Sequence, residues 1–447
     1  MNAQQASNSF VRGTGALMAF LAFVSNAGAD ALPRRLDFGW VLGAPVTGAI
    51  GVNVKHVALG GSADRAGVRA GDMILKVGEA SAAGNSAASS FRFAGAPGRP
   101  VDIRLLRATE HITVRAIPQA AAKESHSGIE TEWGVVIGPG GLRLRSILTL
   151  PPGAARRSAV YIVGWLSCDS VEIPTEHPDT TALLIQDIVE HSGSAVFRLD
   201  KPGAGDSEGV CSTTDFSTEL ESYRRAFAAL RADARIDPKR IVVIGISNGG
   251  GFAPLVAGNA DVAGYIAVDG WSKTWFEHMI DLERRRLVLS GTKPGAIAPA
   301  MAALSEFHAA YLFDQVTPAE VMRRRPHLAG LWYDQPDSQY GRPAAFYHQL
   351  QRLDLDAAWA RVRVPTLVVW GEYDWIMDRA DQEQIVQLVN GDGVQRAALL
   401  VVPGADHNFG RHPDRQTAFD RNGDGSYPAE YGQKIVDFIR KTNTTNP

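Results

Sequence analysis

The sequence predicts an α/β protein built on a doubly wound, mostly parallel sheet with a helical cap, preceded by a small β-rich domain. Three observations predict it. Six short apolar runs, Ala159–Val163, Ala195–Leu199, Arg240–Ile244, Gly264–Val268, Thr366–Trp370 and Ala398–Val402, recur after Gly128 with helical segments between them. Runs apolar on both faces and separated by helices require a sheet covered on both sides. From about Leu36 to Pro118, short β-rich segments alternate with glycine turns instead. The 447 residues, 45% hydrophobic and 21% charged, exceed one ordinary domain and suffice for a buried core.

The first residues differ in kind from the rest. Arg12 is the only charged side chain before Asp30, and the apolar run Ala16–Val24 ends in Ala27-Gly28-Ala29. This is the pattern of a signal peptide over residues 1–29, cut after Ala29. The alternative is an uncleaved anchor, but the run is shorter than the ~20 residues a membrane span needs. Cleavage would take one Arg from the 45 basic residues and none from the 48 acidic ones, moving the net charge from −3 to about −4. Such a balance argues against nucleic acid, which needs clustered surplus cations. The expectation is an exported chain, periplasmic or secreted, with no membrane span in its mature form. Arg284-Arg285-Arg286 and Arg323-Arg324-Arg325 read as solvated helix faces. Neither Cys168 nor Cys211 sits in a Cys-x-x-Cys or metal-ligand spacing, so no metal or cofactor is expected.

Within residues 36–118, the informative stretch runs from Gly61 to Val77, with Ala66-Gly67, Gly71-Asp72 and Ile74-Leu75. It resembles the PDZ domains of exported bacterial proteins over about 80 residues. The resemblance implies a carboxylate-binding loop at Ala49, Ile50 and Gly51, where converging backbone N–H groups hold the C-terminus of a protein or peptide. The other reading is a module that packs against its neighbour and binds nothing. Small and polar residues over 119–128 read as a linker.

The later domain, residues 129–447, carries two G-x-S-x-G matches. Gly205-Asp206-Ser207-Glu208-Gly209 follows a Pro/Gly loop and leads into polar residues, so Ser207 reads as part of a structural turn. Gly245-Ile246-Ser247-Asn248-Gly249 follows a strand directly and runs into a helical segment. Strand, sharp turn and helix are what a nucleophile elbow needs, since the turn lifts the serine hydroxyl above the sheet. A serine hydroxyl also needs a base, and the base a carboxylate. Asp374 follows the run Thr366–Trp370, with Glu372 its nearest competitor, and His407 follows Ala398–Val402.

Serine, acid and histidine in this order, each at the end of its own strand, resemble the α/β-hydrolase family. The resemblance spans roughly 128–441 and includes Asp200-Lys-Pro-Gly-Ala-Gly-Asp-Ser207, similar to a family glycine turn. It implies Ser247 as nucleophile, His407 as general base then acid, and Asp374 as the group that orients it. It further implies an oxyanion hole from the backbone of Asn248 and of Trp165, with Leu166 as the alternative. Here Val163-Gly164 stands where many members carry His-Gly. On the same basis Cys168 and Cys211 fall near the active-site rim and are expected to form a disulfide.

Helical, aromatic sequence over about 271–360 implies a cap whose aromatics mostly pack its own core. Asp420-Arg-Asn-Gly-Asp-Gly425 begins like a calcium loop, but its twelfth position is Tyr431, so it reads as a turn. The expected activity is hydrolysis of a carboxylic ester or thioester. A serine peptidase of the prolyl-aminopeptidase branch is the alternative among enzymes, and a non-catalytic peptide-binding scaffold the alternative of another class.

Overall fold

The computed structural model describes residues 32–43, 50–82, 91–153 and 156–445. The expected signal peptide and Ala49 lie outside them. All six expected strands lie in one eight-stranded sheet, lengthened at most by a few residues. Its order is Ala397–Val402, Thr366–Gly371, Gly264–Val268, Ile236–Ile246, Arg157–Val163, Ala195–Leu199, Arg143–Leu150 and Glu130–Ile137. The first six run parallel, while Arg143–Leu150 is antiparallel to both its neighbours.

The period of two along each strand sends alternate side chains to opposite faces. Ala159, Tyr161, Val163, Ile241 and Val243 join one apolar core, whereas Val160, Ile162, Val242 and Ile244 join the other. Helices cover both, which is why these strands read as continuous apolar runs. From Arg157–Val163 the chain steps outward to Ala195–Leu199 and then returns to Ile236–Ile246 on the other side. The carboxyl ends of the strands therefore part at this reversal, the place where such sheets bind ligands.

The N-terminal region is a separate antiparallel sheet, in the order Trp40–Leu42, Val52–Val57, Met73–Val77, Val101–Arg107 and Glu110–Ala116, over its own small core. The stretch 119–128 is held down at several points. Gln119–Ala120 pairs with Leu36–Asp37, and buried Glu124 forms an ion pair with Arg198 on the larger sheet. Arg34 pairs with Glu172 and Asp206 across the same boundary.

Helices Trp275–Leu289, Pro294–Leu312, Pro318–Arg324, Ala344–Leu350 and Leu355–Ala360 occupy the segment expected as a cap. Most of its aromatics are buried among themselves, with Phe307, Tyr311 and Tyr347 at most 1% exposed. One expectation fails here, that of a solvated Arg284-Arg285-Arg286 face. Arg285 donates to the carbonyls of Trp375 and Ile376 and pairs with Asp378, and Arg286 pairs with Glu283. Charge runs are read as solvated because isolated cations are costly to bury, but this helix lies against a loop rich in free carbonyls that accept from a guanidinium.

Candidate active site

The strand Ile236–Ile246 ends in a sharp turn at Ser247, whose φ of 55° and ψ of −121° no ordinary helix or strand residue adopts. The helix Asn248–Ala257 starts at once. Two glycines make this possible. A Cβ on Gly245 would strike the backbone of Gly249 and Gly250, and one on Gly249 would strike the carbonyls of Val163 and Gly164. The turn can therefore pack against the neighbouring strand end, and Asn248 comes beside the loop that begins at Gly164.

Ser247 Oγ lies 2.8 Å from His407 Nε2, and His407 Nδ1 lies 2.8 Å from Asp374 Oδ2. Asp374 is 1% exposed, and its other oxygen accepts from the backbone N–H groups of Ile376 and Met377 at 2.7 and 2.9 Å. Glu372 instead accepts from the Gly404 N–H, tying two strand ends together. The histidine loop is built on Asp406, which accepts from the backbone of Asn408, Gly410 and Gly423 and meets His412 at 2.8 Å. Gly423 belongs to the calcium-like stretch, so that turn buttresses the histidine loop.

Burial disfavours the charged imidazole of His407, but the charge and hydrogen bond of Asp374, with Asp269 and Asp406 behind, hold it up to about 9. Asp269 is a second carboxyl at this site. It is 1% exposed with a φ of 46°, and its Oδ1 accepts from the Gly371 N–H at 2.8 Å. Burial first, and then the negative charge of Asp374, push its carboxyl well above the usual range. Ligand-type atoms of Asp269, Asp374 and His407 all lie within 4.8 Å of one another. Both imidazole nitrogens already have partners, Ser247 and Asp374, so neither is left to ligate a cation.

Trp165 and Leu166 line the same cavity as Ser247 and Asn248. The buried ammonium of Lys201 donates to the carbonyls of both. Burial, opposed by Glu219 and aided by Arg342, lowers that ammonium to about 8. With the carbonyls drawn toward Lys201, the peptide planes of this loop are oriented. Cys168 and Cys211 are bonded to each other, fastening the same loop to the turn after Ala195–Leu199.

Ser207 has a different setting. It is fully buried, and its Oγ accepts from the Arg145 N–H at 2.8 Å and donates to the Asp200 carbonyl at 2.6 Å. In the N-terminal sheet, Ile50 is 59% exposed, and a Cβ on Gly51 would strike the Ile74 carbonyl, so only glycine fits there.

The cavity over Ser247 has a volume of about 620 Å³. Trp165, Trp275, Leu282, Trp375 and Met377 give it an apolar wall. Of the aromatics in the cap, Trp275 and Tyr340 reach it. Four residues of this site escaped sequence reasoning. Lys201 stands directly after a strand in the quoted glycine turn, a signal that was legible. Asp269 also ends a strand, whereas Arg285 and His278 sit on a helix whose orientation no local pattern reveals.

A model of the alpha/beta hydrolase family matches residues 182–419. No curated protein sequence matches the chain. Among solved structures, the chain is similar to carboxyl esterase 2 of the mycorrhizal fungus Tuber melanosporum, at 17% identity and a TM-score of 0.43 over 72% of this chain and 90% of that one. It is similar to an esterase of Pyrococcus furiosus at 11% identity and 0.44, over 72% and 97%. A proline iminopeptidase of Mycobacterium smegmatis gives 14% and 0.43, over 71% and 100%.

Proposed function

Since the chain belongs to the alpha/beta hydrolase family, we propose that it is a serine hydrolase cleaving a carboxylic ester, or a thioester, through an acyl-enzyme on Ser247. The observation that carries this reading is the unbroken relay from Ser247 Oγ through His407 to Asp374, 2.8 Å at each link, opening on an apolar cavity. His407 Nε2 takes the proton as Ser247 Oγ attacks the carbonyl carbon, and Asp374 steadies the imidazolium that results. The imidazolium returns the proton to the leaving alcohol. Water, deprotonated by the same nitrogen, then releases the acid.

The oxyanion is met by the N–H of Asn248, at a helix start where no intrahelical acceptor exists, and by the N–H of Trp165. Lys201, bonded to the carbonyls of Trp165 and Leu166, orients the peptide planes that carry the N–H groups of Leu166 and Ser167, directly after this donor.

An ester fits better than a peptide with a free N-terminus, whose ammonium needs an uncommitted carboxylate. Of the acidic groups along the cavity, one is neutralised by cations and the others are held by hydrogen bonds. Glu172 pairs with Arg34 and Arg35, Asp179 caps the helix Thr180–His191, and Asp169 accepts from Ser167. Export after cleavage near Ala29 is part of the proposal, supported by a disulfide of the kind that oxidising compartments permit. So is the reading of the N-terminal sheet as a PDZ-like domain, with Ile50 and Gly51 in its peptide loop.

A fluorophosphonate probe tests the core of this reading. The protein should be labelled on Ser247, and Ser247→Ala should not be labelled. Equal labelling of both would overturn it.

A further inference from the structure

The helix Trp275–Leu289 presents Trp275, His278 and Leu282 to the cavity, a stripe at the three- and four-residue spacing of one helix face. Two of the three are apolar, as the rest of the wall requires. The third is an imidazole, 1% exposed, packed 4.8 Å from the ring of Trp275 and 5.8 Å from that of Trp271. A phenylalanine would fill such an aromatic box equally well and carry no polar atoms.

The imidazole brings a cost that nothing among the described residues offsets. Its Nδ1 is buried with no hydrogen-bond partner among the described residues. Burial, together with the cations Arg285 and Lys273, pushes the group well below its ordinary value, so it stays neutral. A neutral imidazole holds one donor and one acceptor nitrogen. Because His278 lines the cavity, a bound ligand is what can offer its ring a polar partner.

Its position is also fixed. The helix begins with a reciprocal cap between Thr274 and Glu277. One turn beyond Leu282, Arg285 binds the carbonyls of Trp375 and Ile376 and the carboxylate of Asp378, all just after Asp374. His278 therefore stands on a helix tied to the loop that holds the triad acid.

We propose that His278 is the specificity-determining residue of this cavity, and that the substrate is a hydroxylated ester whose hydroxyl meets the imidazole while its carbon skeleton lies against the surrounding aromatic wall. A hydroxyl both donates and accepts, so it satisfies a neutral imidazole in either tautomer. The inference rests on Ser247 being the nucleophile, and it adds the chemical class of the substrate.

The test uses matched pairs of methyl esters, 3-phenylpropionate beside 3-(4-hydroxyphenyl)propionate and hexanoate beside 6-hydroxyhexanoate, assayed on the full-length protein. In at least one pair, kcat/KM of the wild type should favour the hydroxylated member by about tenfold or more, the ratio equivalent to one buried hydrogen bond. His278→Phe should bring that ratio close to one, and His278→Asn, which keeps a donor and an acceptor, should restore part of it. A wild type without preference in either pair would overturn the proposal whether or not the variants fold. So would an unchanged ratio in His278→Phe. Probe labelling of Ser247 in the same samples separates the two levels: labelled protein without preference sinks this inference alone, while unlabelled wild type sinks the proposed function with it.

Discussion

Two turns of this chain share the pattern Gly-x-Ser-x-Gly, and their serines have opposite fates. Ser207 is sealed in the protein, its hydroxyl bridging the Arg145 N–H and the Asp200 carbonyl. Ser247 stands at a strained turn with its hydroxyl 2.8 Å from an imidazole. The glycines differ as well. Gly249 has no room for a Cβ because two carbonyls of the neighbouring strand end press on it, whereas Gly209 is glycine for its φ of 94°, with neighbours no nearer than 3.5 Å. The pentapeptide alone therefore encodes a tight turn. A strand before it and a helix after it turn that bend into an elbow.

The comparison breaks first at the serines themselves. Ser247→Ala should lower kcat on a p-nitrophenyl ester by about 10⁴-fold or more, as loss of a nucleophile does. Ser207→Ala should keep kcat within a few-fold and show its effect in a denaturant melt, losing about 1–3 kcal/mol because two buried backbone groups lose their partner. Comparable losses of kcat in both would erase the distinction.

The carboxylates give the next contrast. Asp374→Asn should cost about 10³- to 10⁴-fold in kcat through the wrong imidazole tautomer. Glu372→Gln should leave kcat within about tenfold, since Glu372 holds backbone rather than His407.

The glycines sharpen the same point at the level of folding. Gly249→Ala should destabilise by on the order of 3 kcal/mol, by forcing a side chain into backbone. Gly209→Ala should cost about 1 kcal/mol, the penalty of a left-handed conformation without a clash. Chemical denaturation of the two variants measures both.

The smallest effect concerns pH. His407 acts as a base only when neutral, and its imidazole is held up to about 9, so kcat/KM for an uncharged ester should climb as pH rises through 7, reach half its maximum near that value and level off above it. Asp269→Asn removes a carboxyl that favours the imidazolium, and should move the rising limb to lower pH. A limb unmoved by the substitution would show that Asp269 does not act on His407.

Local patterns reveal strand ends and turns, because alternation and glycine spacing act over a few residues. They exposed all six expected strands and proposed Ser247, Asp374 and His407 as strand-end residues. They did not expose the two antiparallel strands Glu130–Ile137 and Arg143–Leu150, which carry Glu, Arg and Ser among their apolar residues. Nor did they reveal Lys201 under the oxyanion loop or Arg285 on the acid loop, because both are long cations whose partners are carbonyls far away in sequence.

The order of elements, the two tight turns and the alternating apolar faces were determined by the sequence alone, since each depends on residues within reach of one another along the chain. Which strand ends stand side by side was decided only by the folded sheet, whose reversal between Arg157–Val163 and Ile236–Ile246 brings positions 165, 247, 374 and 407 to one edge. The lowered imidazole of His278 and the raised carboxyl of Asp269 belong to that second category, because burial and neighbouring charge, which set a proton's place, exist only once the layers have closed.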